Sequence, residues 1–169
     1  MKSEVLLVTG SRAFAGHPAA LRWVRATLLR EFASVLERTD RLRVVTGDAD
    51  GVDLAALQIA RMFHDLRGVF DVEYSAFQLD GVMFSSDLPV ERWTEIVPPT
   101  EASERKKWPL IRNRAMVERV AAFKGAKAGV AIMAPWSTSH GAGQTVGLLQ
   151  AAKIDVRGHT CPEGLRGKR

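Results

Sequence analysis

The stretch that decides the fold is Thr46-Gly47-Asp48-Ala49-Asp50-Gly51-Val52-Asp53. The apolar run 42–45 precedes it, and the amphipathic run 54–66 follows it. This order indicates that a strand ends, the backbone turns on glycine and a helix begins. Because the N–H groups at the start of a helix point outward and carry the positive end of its dipole, the junction suits an anionic ligand.

Two further junctions of the same kind occur in the chain. Gly10-Ser11-Arg12 follows the apolar run 5–8, and Ser139-His140-Gly141-Ala142-Gly143 follows the apolar run 128–134. In open parallel sheets, ligands bind beyond the carboxyl ends of the strands, where the strand order reverses. We therefore expect these turns to converge at one edge of a sheet, around a ligand that carries phosphate.

Hydrophobic patterns along the chain alternate between those of strands and those of helices. Continuous apolar runs predict buried strands, and apolar residues at helical spacing predict helices. Strands are predicted over 5–8, 42–46, 69–77, 128–134 and 154–156, and helices over 18–36, 54–66, 108–123 and 142–152. This alternation favours an α/β fold, with a mainly parallel sheet of about five or more strands covered by helices on both faces.

Length and composition indicate a single domain. A chain of 169 residues can bury a substantial core, and a hydrophobic content of 46% is typical of a globular protein. We assign the domain to residues 1–158 and interpret 159–169 as a loose basic tail. The segment 78–107 shows no sustained period, and we interpret it as an excursion from the domain that covers a site.

Charge and cysteine content restrict the functional classes. A net charge of +5 permits contact with nucleic acid but does not require it. The single cysteine, Cys161, excludes a disulfide framework and a cysteine-based zinc site. The histidines show no metal-site grouping, so neither a metal nor a required cofactor is expected. Since the chain has no apolar run of about 20 residues and no leader-like start, we expect a cytoplasmic protein that does not enter a membrane.

The acidic residues at the start of the predicted second helix allow two interpretations. Asp50 can cap that helix, with Asp53 completing a capping-box-like pair in its first turn. Alternatively, Asp53 accepts a hydrogen bond from a ligand hydroxyl. The pattern does not favour a calcium loop, because Gly51 comes too early for the EF-hand pattern and no glutamate follows at the required offset.

Arg112-Asn113-Arg114 lies in the first turns of the predicted third helix. Asn113 shares a helical stripe with Val117 and Val120, so its side chain should face the sheet. A buried amide needs hydrogen-bond partners, which can be a ligand or the backbone of a neighbouring loop. Arg112 can reach the same crevice, whereas Arg114 is expected to be solvated.

The glycines of the third junction form a loose relative of a dinucleotide-binding fingerprint. Gly141, Gly143 and Gly147 have the spacing GxGxxxG, but they follow a late strand, and no acidic residue ends the next strand. A Walker A loop is absent, because Gly-Lys-Ser/Thr occurs nowhere in the chain. The alternative is an ordinary flexible turn.

Taken in order, residues 10–12, 46–53, 111–117 and 139–142 resemble the SLOG superfamily, specifically its YspA-like branch. The resemblance covers residues 4–156. It implies a homo-oligomeric, Rossmann-like three-layer sandwich that binds AMP, ADP-ribose or a similar nucleotide-derived molecule at the strand ends. The ligand-binding residues carried over by this resemblance are Gly10, Ser11, Arg12, Gly47, Asp53, Arg112, Asn113, Ser139, Gly141 and Gly143.

The superfamily also implies two alternative functions. Its phosphoribohydrolases split a nucleoside monophosphate and carry a Pro-Gly-Gly-x-Gly-Thr loop followed by glutamate, whereas this chain has Ala134-Pro135-Trp136-Ser137 onward and then Gln144. A nucleotide hydrolase would need another carboxylate to stabilise a cationic sugar, either Asp48 or Asp53. The second alternative is single-strand nucleic-acid binding through Trp108 and the basic cluster that precedes it.

Overall fold

The computed structural model describes residues 1–66, 68–79, 94–97 and 108–166. Within these residues, six parallel strands form one sheet and four α-helices cover its two faces, which confirms the predicted α/β fold. The strands are β1 (Ser3–Gly10), β2 (Arg41–Thr46), β3 (Val72–Leu79), β4 (Thr94–Val97), β5 (Ala126–Met133) and β6 (Val156–Thr160). The helices are α1 (Pro18–Leu36), α2 (Val52–Asp65), α3 (Trp108–Ala121) and α4 (His140–Ala151).

The strand order places a reversal at the centre of the sheet. Across the sheet the order is β4-β3-β2-β1-β5-β6, and every neighbouring pair is parallel. The chain builds outward from β1 to β4 and then crosses back to place β5 on the other side of β1. The connections that follow β1 and β5 diverge to opposite faces and leave a crevice beyond these strand ends, where open α/β sheets bind ligands.

The central strand β1 is buried on both faces. Leu6 and Val8 point into a core shared with α1 and α2, whereas Val5 and Leu7 point into a core shared with α3 and α4. Because both faces of the strand are covered, its sequence is continuously apolar instead of alternating. The turn that follows it therefore starts from a strand packed on both sides.

Gly10 ends β1 at a point where no side chain fits. A Cβ atom on Gly10 would lie 2.5 Å from Val52 Cγ2 and within clashing distance of the Ile132 carbonyl oxygen. Since a backbone carbonyl in a sheet cannot move aside easily, Gly10→Ala is expected to lower the free energy of unfolding by about 1–3 kcal/mol. Urea unfolding measures this change.

Gly143→Ala is the matched control for that substitution. Gly143 lies in α4, and a Cβ atom there would meet nothing within 4 Å. Alanine at an open helical position is expected to be neutral or to stabilise the protein by up to about 1 kcal/mol. Equal destabilisation by the two substitutions would contradict the packing argument for Gly10.

The predicted end of the domain is wrong. The last strand is Val156–Thr160 instead of 154–156, and a short 3-10 helix follows at Glu163–Leu165. Cys161 is buried, and its N–H group donates to a β5 carbonyl at 2.9 Å. Residues 159–166 therefore belong to the fold and are not a loose tail. The pattern missed this strand because its position at the sheet edge leaves its polar side chains partly exposed, so no apolar run marks it.

The segment 78–107 contains regular structure that its sequence did not indicate. Strand β3 begins at Val72 instead of 69 and continues to Leu79, past its predicted end at 77. Strand β4 then pairs with β3 in parallel, and its four residues are too few to show a period. Residues 80–93, 98–107 and 167–169 lie outside the described residues. The prediction that the excursion covers a site falls on the first two of these ranges.

Candidate functional site

A cleft of about 350 Å³ lies beyond the carboxyl ends of β1 and β5. Its walls come from the turn after β1, the start of α2, the first turns of α3 and the turn that opens α4, so the three junctions do converge. The predicted ligand-binding residues that line it are Gly10, Ser11, Arg12, Asp53, Arg112, Asn113, Ser139 and Gly141. Gly47 and Gly143 lie outside its lining.

The turn after β1 is held in place by Ser11. The Ser11 N–H group donates to the Ile132 carbonyl at 3.0 Å, and its side-chain oxygen accepts from the Ala13 N–H group at 3.2 Å. The second bond caps a short 3-10 helix, Arg12–Phe14. Because the Ser11 oxygen acts there as an acceptor, its hydroxyl hydrogen can still donate into the cleft. The exposed side chain of Arg12 stands at the rim.

The start of α4 forms the wall on the β5 side. Ser139 is its N-cap residue and makes no side-chain cap bond. The N–H groups of the first helical turn have no intrahelical acceptor, and the residues that carry them, 140–142, line the cleft. Gly143 differs, because its N–H group already donates to the Ser139 carbonyl at 3.0 Å. The available amides therefore end at Ala142.

A buried ion pair lies behind the cleft. Arg112 Nη1 donates to Asp48 Oδ1, and the two side chains are 5% and 0% exposed. Arg112 Nη2 also donates to Asn113 Oδ1 at 3.2 Å. Asp48 Oδ2 has no hydrogen-bond partner in the part of the chain that the structure describes. Asp48 therefore depends on Arg112 for the balance of its charge.

Asn113 connects this ion pair to the start of α4. Its Nδ2 atom donates to the Gly141 carbonyl at 3.2 Å and to Gln144 Oε1 at 3.4 Å, while Thr145 Oγ1 donates to the same carbonyl at 2.9 Å. Of the two partners that the sequence allowed for Asn113, the structure shows the neighbouring backbone. Asn113 also lines the cleft, so it fixes Gly141 beside any ligand.

Gly47 permits two charged side chains to approach the backbone. A Cβ atom on Gly47 would lie 2.5 Å from Asp53 Oδ2 and 2.9 Å from the guanidinium carbon of Arg112. Both contacts are shorter than real Cβ atoms show, so a larger residue would displace one of these groups. Gly47 does not line the cleft, but it leaves the space that the Asp53 and Arg112 side chains occupy.

Asp53 is the carboxylate of the cleft wall. Its side chain is almost completely buried, and its Oδ2 atom accepts a long hydrogen bond of 3.4 Å from the Ala49 N–H group. Burial raises the pKa of the Asp53 carboxyl to about 6, and the positive charge of Arg112 limits the rise. Asp53 is therefore ionised at neutral pH, although its surroundings favour the protonated form.

The predicted cap at Asp50 is wrong. The N-cap residue of α2 is Gly51, which has a φ of 83° and makes no side-chain cap bond. A Cβ atom at Gly51 would lie 2.7 Å from the Ser11 carbonyl oxygen, so this close approach requires glycine. The helix consequently begins one residue later than the capping-box pattern requires. Asp50 is exposed outside it, and Asp53 bonds to Ala49 instead of completing a box.

The ion pair between Asp48 and Arg112 was not predicted. A helical stripe of Arg112, Met116 and Val120, spaced four residues apart, could have shown that Arg112 faces inward. All three are buried. The prediction that Arg114 is solvated is confirmed.

No family model, curated protein or solved structure matches this chain. The resemblance to the SLOG superfamily therefore stays a prediction. Among the described residues, no three His, Cys, Asp or Glu side chains are grouped as a metal site, and no helix is both long and apolar enough to cross a bilayer.

Proposed function

We propose that this protein binds a nucleotide or nucleotide-derived small molecule, such as AMP or ADP-ribose, as a sensor or binding protein. The observation that carries the proposal is the cleft at the strand reversal, into which the start of α4 opens. Unsatisfied amides at a helix start, together with the dipole of a 12-residue helix, favour an anion. The resemblance of the sequence to SLOG proteins points to the same class of ligand.

The described residues that line the cleft offer donors that fit a phosphate. The amides of the first turn of α4 can donate to phosphate oxygens, and Arg12 and the hydroxyl of Ser11 can donate from the turn after β1. A volume of about 350 Å³ lies within the range of small-molecule pockets. The size of the cleft and these donors support the proposal of a mononucleotide ligand.

Binding is expected to raise the melting temperature. A ligand that binds only the folded state stabilises it by about 1.4 kcal/mol at ten times its Kd. Differential scanning fluorimetry with AMP, ADP and ADP-ribose measures the shift. Unchanged melting across a broad nucleotide panel at millimolar concentration would contradict the proposed function.

Two arginine variants localise that binding. Arg12→Ala is expected to weaken nucleotide binding by roughly 1–2 kcal/mol, because a charged donor at the rim is lost. Arg114→Ala removes the same charge from an exposed position on α3 that does not line the cleft, so affinity should not change. Equal losses would indicate a general effect of net charge on binding.

Hydrolysis of a nucleoside monophosphate is the second candidate function. Asp53 favours it, because this carboxylate lines the cleft and could stabilise a cationic sugar. Asp48 is a poor candidate, since it is fully buried and paired with Arg112. Chromatography of AMP incubated with the protein tests this function, and release of adenine and ribose 5-phosphate would support it.

The remaining proposals concern the oligomeric state, the cellular location and the cofactor requirement. We propose a homo-oligomeric, cytoplasmic protein that requires no cofactor, and light scattering of the purified protein tests the assembly. Single-strand nucleic-acid binding through Trp108 and the basic cluster at 105–107 is a further alternative, and that cluster lies outside the described residues. Oligonucleotide affinity that falls steeply with salt would support it instead.

A further inference from the structure

The cleft has walls of opposite charge. The amides at the start of α4 follow β5, whereas the Asp53 carboxylate follows β2. Because β1 lies between these two strands, the walls are separated by two strand spacings, about 10 Å. An anionic phosphate is repelled at the Asp53 wall and attracted at the α4 wall. A ligand that spans the cleft must therefore present different chemistry to each side.

The two neighbouring carboxylates differ in how their charge is balanced. Asp48 is ion-paired with Arg112, while Asp53 forms no direct ion pair among the described residues. The hydrogen bond that Asp53 Oδ2 accepts from Ala49 is long, at 3.4 Å. The nearby positive charge of Arg112 favours the ionised form of Asp53. As an ionised carboxylate on the cleft wall, Asp53 is a strong acceptor for any donor that enters the cleft.

We infer that Asp53 accepts hydrogen bonds from free sugar hydroxyls, so that the cleft selects ribose phosphates over nucleotides that lack these hydroxyls. This inference rests on the proposed function and names the ligand class within it. The phosphate lies against the first turn of α4, and the sugar hydroxyls face Asp53. In dinucleotide-binding α/β sheets, an acidic side chain that follows the second strand binds the ribose 2′-hydroxyl. Asp53 offers the same chemistry from the first turn of α2, the helix that follows β2.

Calorimetry with AMP and 2′,3′-dideoxy-AMP tests the inference. These probes carry the same base and phosphate, so their affinity ratio isolates the hydroxyls. The wild-type protein is expected to bind AMP at least tenfold more tightly, since a hydrogen bond to a buried charge is lost with the dideoxy compound. Asp53→Asn should reduce the ratio to roughly threefold or less, because a neutral amide oxygen is a weaker acceptor.

Asp50→Asn is the matched control. Asp50 lies in the same junction but is exposed and does not line the cleft. The affinity ratio of AMP to 2′,3′-dideoxy-AMP should therefore be the same for Asp50→Asn as for the wild-type protein. Circular dichroism verifies that both variants fold.

Three results would overturn the inference, and they are distinguishable. If wild-type protein binds both probes equally, the hydroxyl contact is wrong while the proposed function stands. If the preference for AMP over 2′,3′-dideoxy-AMP persists in Asp53→Asn, a different residue binds the sugar hydroxyls. If neither probe nor any other nucleotide binds, the proposed function fails and this inference fails with it.

Discussion

Replacing Arg112 with alanine is expected to lower the free energy of unfolding by about 3–5 kcal/mol, because it leaves a buried carboxylate without its counter-charge. Asp48 is completely buried, and its Oδ2 atom has no hydrogen-bond partner among the described residues. Without the guanidinium, folding must bury a carboxylate charge that has no counter-charge. Equilibrium unfolding in urea at neutral pH measures the loss.

Two further variants separate the ion pair from the other contacts of Arg112. Arg112→Met combined with Asp48→Asn removes both charges and should recover much of the stability, since neutral partners carry a smaller burial penalty. Arg114→Ala, on the exposed face of the same helix, should change stability by less than about 0.5 kcal/mol. A loss below about 1 kcal/mol for Arg112→Ala would show that Asp48 does not depend on this arginine.

The same ion pair connects stability to the ligand site. Arg112 holds Asn113, and Asn113 holds the Gly141 carbonyl at the first turn of α4. Loss of Arg112 should therefore misplace the amides that we propose for the phosphate. Weakened nucleotide binding in this variant would not by itself show a direct contact, which is why the exposed Arg12 gives the cleaner test of phosphate binding.

The sequence predicted the convergence of the three turns because the evidence for it is local. Continuous apolar runs such as Val5 to Val8 mark strands buried on both faces, and a parallel sheet brings their carboxyl ends to one edge. The positions of these turns could be predicted without information about contacts between residues that are distant in the sequence. The fold class and the location of the cleft therefore followed from patterns within single segments.

The details that the sequence missed depend on contacts between distant residues. Aspartate is a common helix-capping residue, which is why Asp50 was predicted as the cap. Gly51 packs against the Ser11 carbonyl, however, and takes the N-cap position one residue later. The pairing of Asp48 with Arg112 joins residues 64 positions apart, which no local pattern reveals. Tertiary packing decided both outcomes, so sequence spacing identified the elements but not the partners of individual side chains.

Asp53→Asn is expected to stabilise the protein by about 3 kcal/mol at pH 7.5 and to have no such effect at pH 4. The pKa of this carboxyl is raised from 3.8 to about 6, and each pKa unit corresponds to about 1.4 kcal/mol. Between these values the folded state holds the proton while the unfolded chain releases it. The contribution of Asp53 to the free energy of unfolding of wild-type protein therefore falls as the pH rises from about 4 to 6.

Urea unfolding of both proteins between pH 4 and pH 8 measures this difference. The free energy of unfolding of Asp53→Asn should lack the pH dependence that the Asp53 carboxyl contributes. The asparagine side chain has nearly the same shape as aspartate but does not titrate. A variant less stable than wild type at pH 7.5 would show that the ionised carboxylate stabilises the fold. The expected gain has a functional meaning, since an ionised group that destabilises a buried site is typical of residues that bind or react. If stability rises while the preference for ribose hydroxyls disappears, the protein retains Asp53 for its ligand and not for its fold.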